Sequence, residues 1–403
     1  MGAVTPVGNT VAETWDAVVN GKNGIDYITQ FDVSKMKVRI GGEVKNLDIG
    51  KYLELREARR LDRAGIFALI AATQAYEDAG LEGADIDRDR FGVFVTSGIG
   101  GIQTINVESR KSHENGPDRV SPFFVPNAII NLIGGHIAIK YKVHGPNLPV
   151  VTACSSGTNS IGEAFRYIRD GYLDIAFGGG TEAPINELGV GGFTAMRALN
   201  MSNDPENACM PFDRRRSGFV IAEGAGILML EELEHAKKRG APIYAELVGY
   251  GSTCDAYHIT APDETAEGIT KAIKLALLDA GVNAEAIDHI NAHGTSTPYN
   301  DRLETLAIKK ALGERAYKVN ISSTKSMMGH SLGATGAIET IMTVKAITDG
   351  ICPPTINYQE YDPECDLNYT PNMAVRRVVD YAININVGFG GQNAALILKK
   401  YEN

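Results

Sequence analysis

The chain reads as an α/β protein whose sheets are buried on both faces and largely parallel. Three observations lead there. Apolar runs of strand length alternate with segments of helical period. The runs are apolar almost throughout, as strands covered on both faces are. The order of strand, loop and helix also recurs at low resolution in two halves, residues 1–240 and 241–403, which implies two similar units with a site between them.

In chain order, "RFGVFVTSG" reads as a buried strand ending in a loop, and "LPVVTACSSG" and "LDIAFGGGTEA" as two more. "GILMLEELEHAKKRGAPIYAELVGYG" reads as strand, helix, strand. "IDHINAHGTSTP", "VNISSTKSMMGH" and "YAININVGFGG" supply the strands of the second half. "DVSKMKVRIGGEVKNLDIGKYLELREARRLDR" fits the alternation poorly and reads as insertions capping the site. In such folds the chemistry lies beyond the carboxyl ends of the strands.

Composition narrows the function. Of 403 residues, 44% are hydrophobic and 22% charged, an ordinary globular balance. A net charge of -10 argues against broad nucleic-acid binding. No apolar run approaches the ~18 residues of a membrane span, and "MGAVTPVGNT" is no signal peptide. Cys154, Cys209, Cys254, Cys352 and Cys365 form no CxxC pair, and their odd number suits a reducing cytosol. The expected location is cytoplasmic.

Cys154 lies where an apolar run ends and a helix starts. Ile161, Ala164, Phe165 and Ile168 fall on one helical face, and Gly171 is placed to end the helix. A cysteine at a helix N-terminus can have a lowered pKa, and nearby amides can hold an oxyanion. A buried structural cysteine is the equal alternative. His293 and His330 occupy similar loops, the first followed by a helix from about Asp301, the second preceded by Lys325. Small residues Gly333, Ala334, Gly336 and Ala337 after His330 allow close packing. His113, His136, His144, His235, His258 and His289 lack this context. The three groups are too far apart in sequence for a usual zinc motif, and no complete nucleotide-binding motif is present.

"TACSSG", "NAHGTSTPYND", "SSTKSMMGHSLGATGAIE" and "NVGFGGQN" resemble, in order and spacing, the beta-ketoacyl-[acyl-carrier-protein] synthases. "SPFFVPNAIINLIGGHIA" and "LGVGGFTAMRALN" look like the type II, chain-elongating branch, and the likeness runs over nearly the whole chain. It implies the thiolase fold, two similar α/β halves in a five-layer α-β-α-β-α arrangement, usually as a homodimer. It also implies decarboxylative condensation of an acyl group with malonyl-[acyl-carrier protein] in fatty-acid elongation. No cofactor or metal is implied, because the substrates ride on the phosphopantetheine of the carrier.

The resemblance assigns roles. Cys154 resembles the acyl-accepting nucleophile, and His293 and His330 the pair that promotes malonyl decarboxylation. Lys325 resembles the lysine that organises the second histidine, with Asp301, Glu304 and Glu339 in a supporting network; a purely structural ion-pair network is the alternative. The amides of Cys154 and Phe389 resemble the oxyanion hole, and the Phe389 ring the gate. Ile99 looks like an acyl-pocket residue; Thr295 and Thr297 match positions contacting the pantetheine arm. Arg56, Arg59 and Arg60, in "LREARRLDR", match carrier-docking positions, against the alternative of a solvated face paired with Glu54 and Glu57.

The chain departs from the pattern twice. It starts at "MGAVTPVG", so the family's opening strand is expected to be absent, leaving an unpaired edge and a packing gap. Val387 and Gln392 stand where the type II pattern often has Phe and Thr. The competing functions are a stand-alone polyketide ketosynthase, a non-catalytic chain-length partner (which would lack the nucleophile) and, more distantly, a Cys/His hydrolase.

Overall fold

Each half of the chain builds one main sheet beside a two-stranded ladder (Asp26–Tyr27 with Ile40–Gly41, Ile351–Cys352 with Val375–Arg376), and the two main sheets are wired alike. In the computed structural model, which describes residues 1–402, the first sheet holds β1 (Gly2–Val4), β2 (Phe91–Thr96), β3 (Ile175–Glu182) and β4 (Gly224–Glu231). Their spatial order is β1-β4-β3-β2. The second sheet holds β5 (Ala245–Cys254), β6 (His289–Asn291), β7 (Asn320–Ser322), β8 (Tyr381–Gly388) and β9 (Gln392–Lys400), in the order β5-β9-β8-β6-β7.

In both sheets three antiparallel neighbours adjoin parallel strands: β1/β4/β3 with β3/β2, and β5/β9/β8 with β8/β6/β7. The sheets are thus mixed, not largely parallel. The three-residue connection Phe389–Gly391 between β8 and β9 is the physical reason in the second half. So short a link can only join antiparallel strands.

Helices form the other three layers. α1 (Arg63–Asp78), capped by the Asp62 carboxylate on Ala64 N, covers the outer face of the first sheet. α3 (Glu267–Ala280) covers the second, with α4 (Pro298–Leu312) beside it. α2 (Ser156–Arg169) and α5 (Thr335–Asp349) lie between the sheets, each touching both. The expected five-layer order is present.

α2 and α5 meet at backbone distance. A Cβ on Gly336 would fall 2.0 Å from Thr158 Oγ1, and one on Gly157 2.8 Å from Ala337 N. Glycine at both positions lets the helix starts touch. Each of these helices is preceded by a one-turn 3-10 segment, Ala153–Ser155 and Leu332–Ala334, whose first residue has a left-handed backbone (φ 51° and 45°). The internal repeat therefore extends to the turns that carry Cys154 and follow His330.

Several expectations change. Residues 148–152 make no strand. The segment joins β2 only through the isolated bridge Val93↔Asn147, with Leu148 and Val151 exposed. Pro146 and Pro149 withhold the N–H groups a ladder needs. The helix expected from Asp301 starts at Pro298, whose missing N–H suits the first helical position. The opening strand expected to be absent is present but short. Gly2–Val4 pairs with Ala225–Ile227, and an apolar cavity of about 360 Å³, bordered by Met1, Leu228, Leu230, Tyr244 and Leu398, continues that edge. The inserted segment does reach the site: Val33 and Met36 pack on the cluster that contains Cys154.

Gly336→Ala should cost about 1–3 kcal/mol through overpacking at the α2–α5 contact. That loss outweighs the ~1 kcal/mol gained in helix propensity. A denaturant midpoint equal to or above that of the parent would show that the contact can relax.

Candidate active site

Cys154 shares one cavity with the two imidazoles because both helix starts and the β8–β9 turn converge on it. Cys154, His293, His330, Thr295, Thr297 and Phe389 all line a space of about 330 Å³. Cys154 precedes α2, His293 follows β6, His330 precedes α5, and Phe389 forms the β8–β9 turn. The His293 and His330 rings lie 5.4 Å apart, centre to centre, at 87°. Gly388 explains the approach of the turn: a Cβ there would stand 2.3 Å from Thr152 O and 3.4 Å from Cys154 N.

Both imidazoles are neutral. Burial holds His293 and His330 well below the ordinary histidine value, and the nearby Lys325 charge pushes the same way. Asn386 sets one tautomer. Its Nδ2 donates to Glu339 Oε2 (2.7 Å) and lies 3.3 Å from His293 Nδ1, while its Oδ1 accepts from Thr158 Oγ1 (2.5 Å). With Nδ1 accepting, the His293 proton sits on Nε2. His330 Nδ1 lies 3.0 Å from Thr335 Oγ1, and its backbone is bound to the segment before β4 through Val220 O and Ala222 N.

Lys325 is buried and bridges two elements. Its Nζ donates to His293 O at 2.5 Å and to Glu339 Oε1 at 2.6 Å. It thus fixes the backbone of the first histidine rather than touching the second, the contact the resemblance implied. Glu304 accepts from His293 N (2.6 Å) and Gly294 N (2.8 Å), and burial pushes its carboxyl up to about 7. Asp301 accepts from Phe212 N (2.8 Å) and Ser296 N (3.2 Å) and faces Arg216. Neither acid touches an imidazole ring by hydrogen bond; both brace the loop 293–297. The expected single network is therefore two: Lys325–Glu339–Asn386 at His293, and Asp301–Glu304 under the loop.

Cys154 departs from expectation in its ionisation. Burial pushes the thiol up to about 12, although Lys325 and the amides of Phe389 and Cys154 itself act against this. Desolvation outweighs the helix terminus, so the resting sulfur is a thiol. Those same two amides are the pair expected to form the oxyanion hole. Ile99 lies outside the cavity lining but packs in the apolar cluster of Cys154, with Leu332 and Phe219. Thr295 and Thr297 line the cavity, their hydroxyls 2.9 Å apart. Val387 lines it as well.

Arg56, Arg59 and Arg60 are exposed on and after the short helix Leu55–Ala58, away from the cavity lining. Among the described residues none of the three forms an ion pair, with Glu54, Glu57 or any other acid. Arg60 lies over the Phe123 ring at 5.5 Å. Asn386 and Thr335 escaped the sequence reading. The signal was available in "ININVG", where Asn384 and Asn386 put amides on one face of an otherwise apolar strand.

Two family models match, "Beta-ketoacyl synthase, N-terminal domain" over residues 1–236 and "Beta-ketoacyl synthase, C-terminal domain" over 244–359. The chain belongs to the beta-ketoacyl synthase family. This synthase is 49% identical over 403 residues to the 3-oxoacyl-[acyl-carrier-protein] synthase 2 of Synechocystis sp., covering all of this chain and 97% of that one. The Staphylococcus aureus protein of the same name is 49% identical over 402 residues, with the same coverage. A beta-ketoacyl synthase from Burkholderia phymatum superposes with a TM-score of 0.93 at 33% identity, covering 100% of this chain and 98% of that one. A type II polyketide ketosynthase, solved with its acyl-carrier protein and a hexaketide, has a TM-score of 0.92 at 35% identity and the same coverage.

The depressed imidazoles set a pH expectation. A folded pKa below the ordinary 6.5 means the neutral donors persist as pH falls through that value. Malonyl decarboxylation should stay flat from about pH 8 to about pH 6. An acid limb centred near 6.5 would contradict the buried, uncharged state of the pair.

Proposed function

We propose that this synthase transfers an acyl group to Cys154 and condenses it with malonyl-[acyl-carrier protein], in fatty-acid elongation, giving the 3-oxoacyl thioester and CO2. The observation that carries this reading is the shared cavity of one thiol, two amides directed at its sulfur and two neutral imidazoles.

The chemistry follows from that set. A thioester is opened by a soft nucleophile. The proton the Cys154 thiol loses is gained by the departing pantetheine thiol, so a resting thiol needs no net ionisation. In the malonyl group the bond to the carboxylate breaks, CO2 leaves, and the electron pair becomes an enolate. The N–H groups of His293 and His330 stabilise its oxygen, a task for neutral donors in a dry site. The enolate carbon attacks the acyl carbon on Cys154. The amides of Cys154 and Phe389 hold the oxyanion, and collapse returns the Cys154 sulfur, which takes a proton from water.

Thr295 and Thr297 would meet the pantetheine arm, the Phe389 ring would gate the acyl chamber, and Ile99 would form part of its wall. Lys325, Glu339, Asp301 and Glu304 act as positioning groups. Arg56, Arg59 and Arg60, unpaired and exposed, would dock the acidic carrier. A second copy of the chain would cover the exposed apolar residues Phe123, Val125, Ile129, Ile139, Leu148 and Val151. No cofactor is called for by these steps. Among the described residues no helix is long and apolar enough to cross a membrane.

Incubation with acyl- and malonyl-carrier protein should give a 3-oxo product two carbons longer, with acyl mass on Cys154. Cys154→Ala should abolish it while melting as the parent does. Free acid in place of an extended product would mean a hydrolase. Separately, Arg56, Arg59 and Arg60 changed together to Glu should raise KM for carrier-bound substrates roughly tenfold at low salt, and less at high salt. An unchanged KM would remove these arginines from docking.

A further inference from the structure

Glu182 ends β3 and is fully buried, yet no step derived above uses it. Every partner it has is a donor. Oε1 accepts from Ser97 Oγ at 2.5 Å and Ile99 N at 3.2 Å. Oε2 accepts from Gly98 N at 2.7 Å and Gly333 N at 2.9 Å. Ser97–Ile99 follow β2 in the first half; Gly333 lies in the turn before α5 in the second. One carboxylate therefore pins a loop from each half.

The two pinned segments carry apolar walls around the nucleophile. Ile99 and Leu332 pack in one cluster with Cys154, Phe219 and Phe193. The fit is tight. A Cβ on Gly98 would stand 2.8 Å from Glu182 Oε2, and one on Gly333 2.3 Å from Gly98 N. Four donors around two oxygens favour the ionised acid, but burial outweighs them and holds the carboxyl up at about 7. The charge also lies close enough to Cys154 to oppose its ionisation.

We propose that Glu182 is the positioning residue that sets the acyl chamber: its two oxygens hold the Ile99 wall against the Leu332 wall, and so fix the space open to a chain attached to Cys154. The proposal rests on the reading of Ile99 as an acyl-chamber residue. The two oxygens are separable by chemistry. In Glu182→Gln one oxygen becomes an NH2 donor. The best arrangement keeps the amide oxygen on Gly98 and Gly333 and turns the nitrogen to Ser97 Oγ, which can accept. Ile99 N–H then faces another N–H and is released. Glu182→Gln thus frees the Ile99 wall and leaves the Gly333 turn held, whereas Glu182→Asp draws both oxygens back by one methylene and loosens both.

The experiment measures kcat/KM for acyl carrier proteins of increasing chain length, malonyl decarboxylation without an acyl acceptor, and melting temperature. Glu182→Gln should keep decarboxylation within about twofold, since the histidine loops are untouched. It should shift the ratio of long-chain to short-chain kcat/KM upward by about tenfold, a size reached when a pocket wall gives way by a methylene or so. Glu182→Asp should shift the ratio and also lower decarboxylation. Ser97→Ala removes one donor to Oε1 and should shift the ratio the same way by a smaller factor; it decides the matter if the Gln variant fails to fold. Variants that melt lower yet keep the parent's chain-length ratio overturn the proposal. A parent that extends no acyl chain overturns the condensation reading instead, so the two failures are distinct.

Discussion

The backbone contact between α2 and α5 is the constraint on which everything else rests. Two buried helices meet at Gly157 and Gly336 with little more than the Thr158 hydroxyl between their backbones. Only that closeness puts the turn before one helix within reach of the turn before the other. One turn carries Cys154; the other follows His330. The same contact brings Thr158 Oγ1 onto Asn386, and through Asn386 the packing reaches His293 and Glu339. Close packing and catalytic geometry are therefore one property, since a protein interior transmits strain rather than absorbing it.

Burial then decides the electrostatics. It keeps both imidazoles uncharged and the cysteine a thiol, so the resting site carries little net charge where the thioester binds. Lys325, whose charge bears on both imidazoles, is matched by Glu339 at 2.6 Å and also donates to a histidine carbonyl. A buried charge left unmatched would cost several kcal/mol. Matched, it still biases its neighbours against protonation, which is the state a proton-donating but uncharged imidazole pair requires.

Much of this was legible in the sequence, for identifiable reasons. Cys154, His293 and His330 each stand in a run of small residues between an apolar segment and a helix, so their place in the turns before helices follows from periodicity, though only His293 directly follows a strand. Strand direction was not legible, because an apolar run looks the same in both senses; only the shortness of Phe389–Gly391 betrays the antiparallel turn. Residues 148–152 have the apolarity of a strand, but two prolines deny them the hydrogen bonds. The ionisation of Cys154 was misjudged because a helix terminus is visible in sequence while desolvation is not. Asn386 was hidden in a strand pattern, and Glu182 in "GGGTEA", where nothing marks a carboxylate that joins two halves of a molecule.

Phe389 carries a consequence of its own. A single residue in a three-residue hairpin supplies both an amide beside the Cys154 sulfur and a ring at the cavity, packed 6.4 Å from Phe193. If the loop swung as a body to admit a substrate, the charge-stabilising N–H would leave with it. Rotation of the ring about its own side-chain bonds would leave the peptide where it is. Ring and amide are thus tied to one codon: replacing the side chain leaves the amide beside Cys154, whereas lengthening the hairpin would move both.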